Sequence, residues 1–371
     1  MAQKPALYVG SEIYERAAFG QNHPLAFMRQ GYVMQLCRQL DWLSEDNFRK
    51  SPTADIETIL RYHDPDYVNA LLRADRAGQA TAEDRRLYNF GTMENPLFKG
   101  VFERAATTVA GSILAAELAL QGHTVFHPSG GTHHGMRDKA HGFCYFNDPA
   151  FSIFSFLDAG LERILYVDID AHHGDGVESA FAHDDRVHCL SVHEENRWPY
   201  SGTLNEQRPG VFNIPVPQGI SDSEFDYIFS HLVDPFCKTF DPQAVVITCG
   251  ADALAGDPLS KMQLSNVALW DAVLKLRDMS DHCVVLGGGG YNPWTTVRCW
   301  TGLWGQLAGF EFPDRLPQSA LDLLAGFESD LIEDEDRDPV WTTQLQDAAK
   351  YDNVVRDGVI ERVETLARRL A

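Results

Sequence analysis

Residues 164–176 read Ile-Leu-Tyr-Val-Asp-Ile-Asp-Ala-His-His-Gly-Asp-Gly. Ile164, Leu165, Tyr166, Val167 and Ile169 make a nearly continuous apolar run, the pattern of a strand buried on both faces. The chain then turns abruptly polar. Asp168, Asp170 and His172 alternate, and a period of two projects them to one side where the strand ends. A carboxylate oxygen and an imidazole nitrogen two residues apart suit a divalent metal such as zinc. Gly174 and Gly176 are expected to let the backbone bend tightly and bring Asp175 beside the site. Polar residues often follow a strand only because the loop is wet. Here five ionisable residues crowd positions 168–175, which speaks for a site.

Working outward, apolar strand-like runs recur at 5–9, 124–127, 187–193, 244–249 and 282–286. Helical patterns lie between them, at about 98–120, 149–159, 176–181 and 265–279, and on through Arg298 and Trp304. Asp64 is a plausible N-cap for a helix carrying Tyr67, Val68, Leu71 and Leu72. Arg29 opens another helix, either as a surface ion pair or lining an interior path or steadying a loop. Alternating strands and helices predict an α/β fold: a single domain, with a mainly parallel central β-sheet and helices on both faces. No linker or repeat divides residues 1–371; residues 311–371 form an acidic extension ending in an amphipathic helix from about Val355 to Leu370. Four strands run into polar or glycine-rich loops, after 127, 169, 249 and 286. Ligands of open α/β sheets bind at the carboxyl ends of strands, so these loops can converge.

The formal charge of −22 argues against nucleic acid and anionic membrane as partners, and favours cationic ones. Met1-Ala2-Gln3-Lys4 carries no apolar signal segment. No run reaches the roughly 18 apolar residues needed to span a bilayer. The seven cysteines include no Cys-x-x-Cys, and Cys189, Cys249 and Cys283 sit in apolar runs. They read as reduced, buried thiols of a cytoplasmic protein. The sequence assigns no oligomeric state.

The second polar cluster is Gly131-Thr132-His133-His134, followed by Gly142-Phe143-Cys144-Tyr145-Phe146-Asn147-Asp148. Next come Asp168 to Gly176, Gly250-Ala251-Asp252 with Ala255-Gly256-Asp257-Pro258, and Gly287 to Asn292. In this order, over roughly residues 5–310, the motifs resemble those of the zinc-dependent histone deacetylase superfamily, which includes bacterial acetoin-utilisation members. The resemblance implies one catalytic zinc held by Asp170, His172 and Asp257. It implies a catalytic pair, His133 oriented by Asp168 and His134 by Asp175, with Tyr291 polarising the amide carbonyl. It places Gly142, Phe143, Glu94 and Leu264 at the substrate. It also implies structural potassium, at Asp168, Ser191 and Val192 with Asp170 and His172, and more weakly at Phe181, Asp184, Val187 and Phe212. The expected reaction is hydrolysis of an acyl amide, typically acetyl, on a lysine side chain of a protein or peptide, or on an acylated polyamine.

Two places depart from the family pattern. Glu94 matches the rim carboxylate only with an altered spacing. The second aromatic wall of the substrate tunnel is offered by Trp198, Pro199 or Tyr200. A ureohydrolase of the arginase type would need a second Asp two positions beyond His172, where Gly174 stands. The ligand types suit iron as well as zinc.

Overall fold

The computed structural model describes residues 4–20 and 23–370; the Met1–Gln3 start lies outside them. Among the described residues, eight strands form one wholly parallel sheet: β1 (Lys4–Gly10), β2 (Phe48–Lys50), β3 (His123–His127), β4 (Ile164–Asp168), β5 (Val187–Glu194), β6 (Val211–Val216), β7 (Ala244–Thr248) and β8 (Cys283–Leu286). Their order is β2-β1-β3-β8-β7-β4-β5-β6. The predicted fold is therefore the observed one. The four strands with unusual loops, β3, β8, β7 and β4, are adjacent at the centre of the sheet. In-register pairs tie their ends together: His127 faces Leu286, Leu286 faces Thr248, and Thr248 faces Asp168. Because all run the same way, their four loops leave the same edge side by side.

Alternation along each strand divides the core in two. Val125, Ile164, Tyr166, Val246 and Val284 pack under the Val101–Leu120 and Asp148–Asp158 helices. Phe126, Leu165, Val167, Val245, Ile247 and Val285 face the opposite layer, which holds the Arg29–Gln39, Asn266–Arg277 and Pro293–Ala308 helices. Both faces are thus dry, which accounts for the unbroken apolar runs. Asp64 caps the Pro65–Ala77 helix by accepting from Asp66 N and Tyr67 N, with Pro65 in the first turn.

Two strands go beyond the sequence reading. β2 is three residues long. β6 reads Val-Phe-Asn-Ile-Pro-Val and contains Pro215, which an edge strand tolerates because one row of its N–H groups has no strand to meet.

The acidic C-terminal stretch is woven into the α/β body. Arg298, fully buried on the Pro293–Ala308 helix, donates to Gln344 O and to Asp347, both at 2.6 Å. Trp341 stacks on Trp294, and Asn266 binds Leu345 O. The final helix, Asp357–Leu370, follows Arg356, which forms a paired ion bridge to Glu224. Arg362 on that helix pairs with Glu195 at the end of the edge strands.

Candidate active site

The strand pattern of β4 stops at Asp168, so the expected alternation does not continue as a strand. Side chains instead turn the chain. Asp170 N donates to Asp168 Oδ1 at 3.1 Å, and His172 N donates to Asp170 Oδ1 at 2.9 Å. Each carboxylate caps the amide two residues on, which gathers Asp168, Asp170 and His172 at the sheet edge. The glycines act differently from expectation. Gly174 has φ −75°, open to any residue. What it lacks is room: a Cβ there would lie 2.2 Å from Asp168 Oδ2. One at Gly176 would lie 2.5 Å from His133 O.

The adjacent histidines each meet a carboxylate. His133 Nδ1 lies 2.6 Å from Asp168 Oδ2, and His134 Nδ1 lies 2.7 Å from Asp175 Oδ1. Tyr166 OH also donates to Asp168 Oδ2, at 2.6 Å. Burial opposes charge on both imidazoles. On His133 the carboxylates of Asp168 and Asp170 outweigh it and raise the pKa to about 9. On His134, burial joined by repulsion from His133 lowers it to about 3 despite Asp175. Neighbouring groups of one residue type are thereby shifted in opposite directions.

Beside them lies a crowd of buried acids. Ligand atoms of Asp170, His172 and Asp252 all fall within 4.8 Å of one another. His172 Nδ1 is 2.9 Å from Asp252 Oδ2 and 3.2 Å from Asp170 Oδ1. Asp257 is buried nearby but outside that tight group; its carboxylate accepts from Leu259 N at 2.8 Å and Tyr291 N at 2.7 Å. The sequence reading quoted Asp252 only as part of a motif, and the structure brings it into the centre. Burial and the charge on Asp252 raise Asp257 to about 8, and burial and Asp170 raise Asp252. Carboxylates forced together in a dry site, with an imidazole among them, are a donor set that a divalent cation fits.

The glycine-rich loop after β8 closes over this cluster. Gly289 N donates to Asp170 Oδ2 at 2.6 Å, and Arg29 donates to Gly290 O at 3.1 Å. Arg29 is thus no surface ion pair: it steadies the loop that carries Tyr291 and lies over Trp300. One pocket is lined by His133, His134, Phe143 and Tyr291 together with Tyr14 and Arg29. Burial, then Asp252, pushes the Tyr291 hydroxyl well above its usual pKa, so it remains a donor.

Gly142 and Phe143 form a two-residue turn closed by His141 and Cys144, with φ of +54° and +66°. Phe143 packs edge-on to Tyr291. Of the three loop residues offered as the second wall, Trp198 is the one at the site, with its ring 4.7 Å from that of His134. Tyr200 is exposed. Glu94 is placed otherwise than expected. Its carboxylate accepts from Gly142 N at 2.6 Å and Asn89 Nδ2 at 3.2 Å, so it braces the chain's own turn. Leu264 is fully buried, paired with Leu254, and does not line the pocket.

Of the residues read as potassium sites, Ser191 sits opposite Asp168 in register and Val192 is buried beside it. Ser191 Oγ is engaged with His193 Nδ1 at 2.9 Å. Phe181, Asp184 and Val187 share one turn through backbone bonds, with Phe212 on β6. The Asp184 side chain is taken up by Arg186.

Comparison with known proteins shows the family and agrees with the fold. The histone deacetylase domain family matches residues 23–307. The chain belongs to the histone deacetylase family. It is 30% identical over 330 residues to the acetoin utilization protein AcuC of Bacillus subtilis, covering 85% of each chain. It is 32% identical over 308 residues to human histone deacetylase 1, covering 81% of this chain but 64% of that one. A crystal structure of a histone deacetylase homologue from Aquifex aeolicus superposes with a TM-score of 0.92 at 34% identity, over 98% of this chain and all of the other. As a hydrolase of the histone deacetylase family, the protein has a fold common to that bacterial homologue from end to end.

Proposed function

We propose that this protein hydrolyses the acyl amide, typically acetyl, of a lysine side chain or related acylated amine, as one catalytic unit spanning the chain. The observation that supports it is the convergence of two His–Asp pairs, Tyr291 and a carboxylate–imidazole cluster at adjacent strand ends. Asp170, His172 and Asp257 are the residues that would hold zinc, with Asp252 seated behind His172. A zinc ion there would supply Lewis acidity at the carbonyl oxygen and acidify the attacking water.

The chain's own residues do the rest. Phe143 and Trp198 flank the acyl-bearing arm and keep water away. Their apolar surfaces reject the ammonium of unmodified lysine, which would lose hydration without a partner. Tyr291 donates its hydroxyl to the carbonyl oxygen, and the bond strengthens as that oxygen becomes an oxyanion. His134, neutral and held by Asp175 at Nδ1, accepts the water's proton at Nε2. His133, held by Asp168 at Nδ1, delivers a proton to the leaving nitrogen. The products are a carboxylate and a free amine. Asp168, Ser191 and Val192, and more weakly Phe181, Asp184, Val187 and Phe212, remain the proposed potassium sites. All seven cysteines are unpaired and buried, in keeping with a reducing cytoplasm. No helix among the described residues is long and apolar enough to cross a membrane.

The test is a panel of acetyl-lysine peptides, longer acyl-lysines and acetylpolyamines with zinc-loaded protein. We expect amine release from at least one acyl-lysine. Turnover of none of these amides would sink the reading; turnover of polyamines alone would move it to acetylpolyamine hydrolysis.

A further inference from the structure

The His134–Asp175 pair has a third neighbour that the proposed reaction does not use. His141 brings Nδ1 to 3.3 Å from Asp175 Oδ2, while Asp175 Oδ1 holds His134 Nδ1 at 2.7 Å. The His141 nitrogen is buried, yet its approach lacks hydrogen-bond geometry and it has no other partner among the described residues. Ligand atoms of the three residues all lie within 4.8 Å of one another. Trp198 roofs the group, its ring 4.7 Å from both imidazoles. The His141 side chain keeps 21% of its exposure and Asp175 12%, so an ion can reach them.

The geometry points to a second divalent-metal site at His134, Asp175 and His141, apart from the Asp170–His172 cluster, whose occupation stops the reaction. Two imidazoles and one carboxylate select zinc over magnesium or calcium, which prefer all-oxygen shells. Zinc–ligand bonds of ~2.0–2.1 Å set tetrahedral ligands about 3.3 Å apart. The His141–Asp175 spacing already has that value. His134 lies 2.7 Å from the other oxygen, Oδ1, so the carboxylate turns to give one oxygen to the ion, and water supplies the fourth ligand.

Binding carries its own inhibition. Zinc takes the Nδ1 lone pair of His134, and the proton that Nδ1 carried moves to Nε2. Proton and charge are conserved on the ring. Nε2, now protonated, cannot accept a proton from water. This consequence rests on the role proposed for His134; the existence of the site does not.

The experiment titrates zinc into protein already carrying one equivalent. Bound metal is counted by equilibrium dialysis with elemental analysis, in parallel with turnover of an acetyl-lysine peptide. In the wild type a second equivalent should bind, and activity should fall ten-fold or more over the same zinc range. Groups that only orient a metal's ligands tune its affinity by roughly 10–100-fold, so losing a direct ligand should cost at least that. His141→Asn should therefore keep the first equivalent and move both the second binding step and the inhibition midpoint up by at least ten-fold. Unchanged midpoints in that variant, or a wild type that stops at one equivalent, overturn the site. Should His141→Asn not fold, anomalous diffraction at the zinc edge from zinc-soaked wild-type crystals decides: a peak among His134, Asp175 and His141 supports the site, and its absence removes it. A second equivalent that depends on His141 in a protein inactive on every acyl amide would leave the site standing and sink the proposed function alone.

Discussion

Glu94 and Gly142 are joined by a 2.6 Å hydrogen bond from the Gly142 amide to the Glu94 carboxylate. The bond fixes a turn in which both central residues take positive φ, a conformation that Phe143 adopts against its own preference. Glu94→Ala should free that turn at a cost of about 1–2 kcal/mol, as for a charge-assisted bond at a half-buried site. Phe143 would then lose its place against Tyr291, and kcat/KM should fall about ten-fold. Glu94→Gln, which still offers an acceptor, should recover most of it. If Ala and Gln behave alike, the carboxylate acts on substrate instead.

Tyr291→Phe deletes only a donor. Turnover should drop on the order of 10²-fold or more while metal content and KM stay near wild type. Steady-state kinetics with elemental analysis check this; near-normal turnover would mean that another group polarises the carbonyl.

Asp257→Ala removes one proposed ligand and the acceptor for Tyr291 N. Bound zinc should fall well below one per chain, and activity with it. Asp252→Asn, behind His172, should keep zinc but weaken it roughly 10–100-fold. The reverse order of losses in dialysis would make Asp252 the direct ligand.

His63 is buried, donating through Nδ1 to Arg137 O and accepting Asn147 N at Nε2. Burial lowers its pKa to about 3 from 6.5. The unfolded chain therefore binds a proton that the folded one refuses. Stability is full above pH 6.5 and is lost as pH falls toward 3, by about 2 kcal/mol at pH 5. His63→Gln has no such proton to gain. It should be less stable than wild type at pH 7, with the gap narrowing at pH 5; a constant gap in urea unfolding would refute the linkage.

The charge of −22 should draw in cationic carriers of the acyl group. For a cationic acetyl-lysine peptide, kcat/KM should decline as ionic strength rises through roughly 0.01 to 0.15 M. An acidic peptide should not show this decline. Equal slopes would leave the charge with solubility as its only task.

The sheet was legible because β3, β4, β7 and β8 are buried on both faces and read as unbroken apolar runs. β6 hid behind Asn213 and Pro215, residues that only an edge position allows. The His–Asp pairs and the role of Tyr291 followed from the family resemblance, because His133 and Asp168 lie 35 residues apart and His134 and Asp175 lie 41 apart. Asp252 and His141 carried no role in that resemblance, and Trp198 stood there as one of three alternatives. The signals existed: Asp252 ends a strand-to-glycine step like that of Asp168, and His141 immediately precedes the Gly142 turn. Glu94 was matched to the rim carboxylate by the family pattern, and the Gly142 amide it holds becomes visible only in the fold.

The family match ends at residue 307, but the packing onto the sheet's helices continues beyond it. A chain cut there would leave the Arg298 guanidinium buried without Gln344 and Asp347, an uncompensated interior charge costing several kcal/mol. Trp294 would lose Trp341 and the Leu324 carbonyl that its indole N–H now meets. Trp294 lies three residues beyond Tyr291 on the same loop-to-helix passage. A protein trimmed to its recognisable motifs should therefore loosen first around the start of the Pro293–Ala308 helix, next to Tyr291. The acidic stretch that looks dispensable in the sequence is the outer packing of that helix.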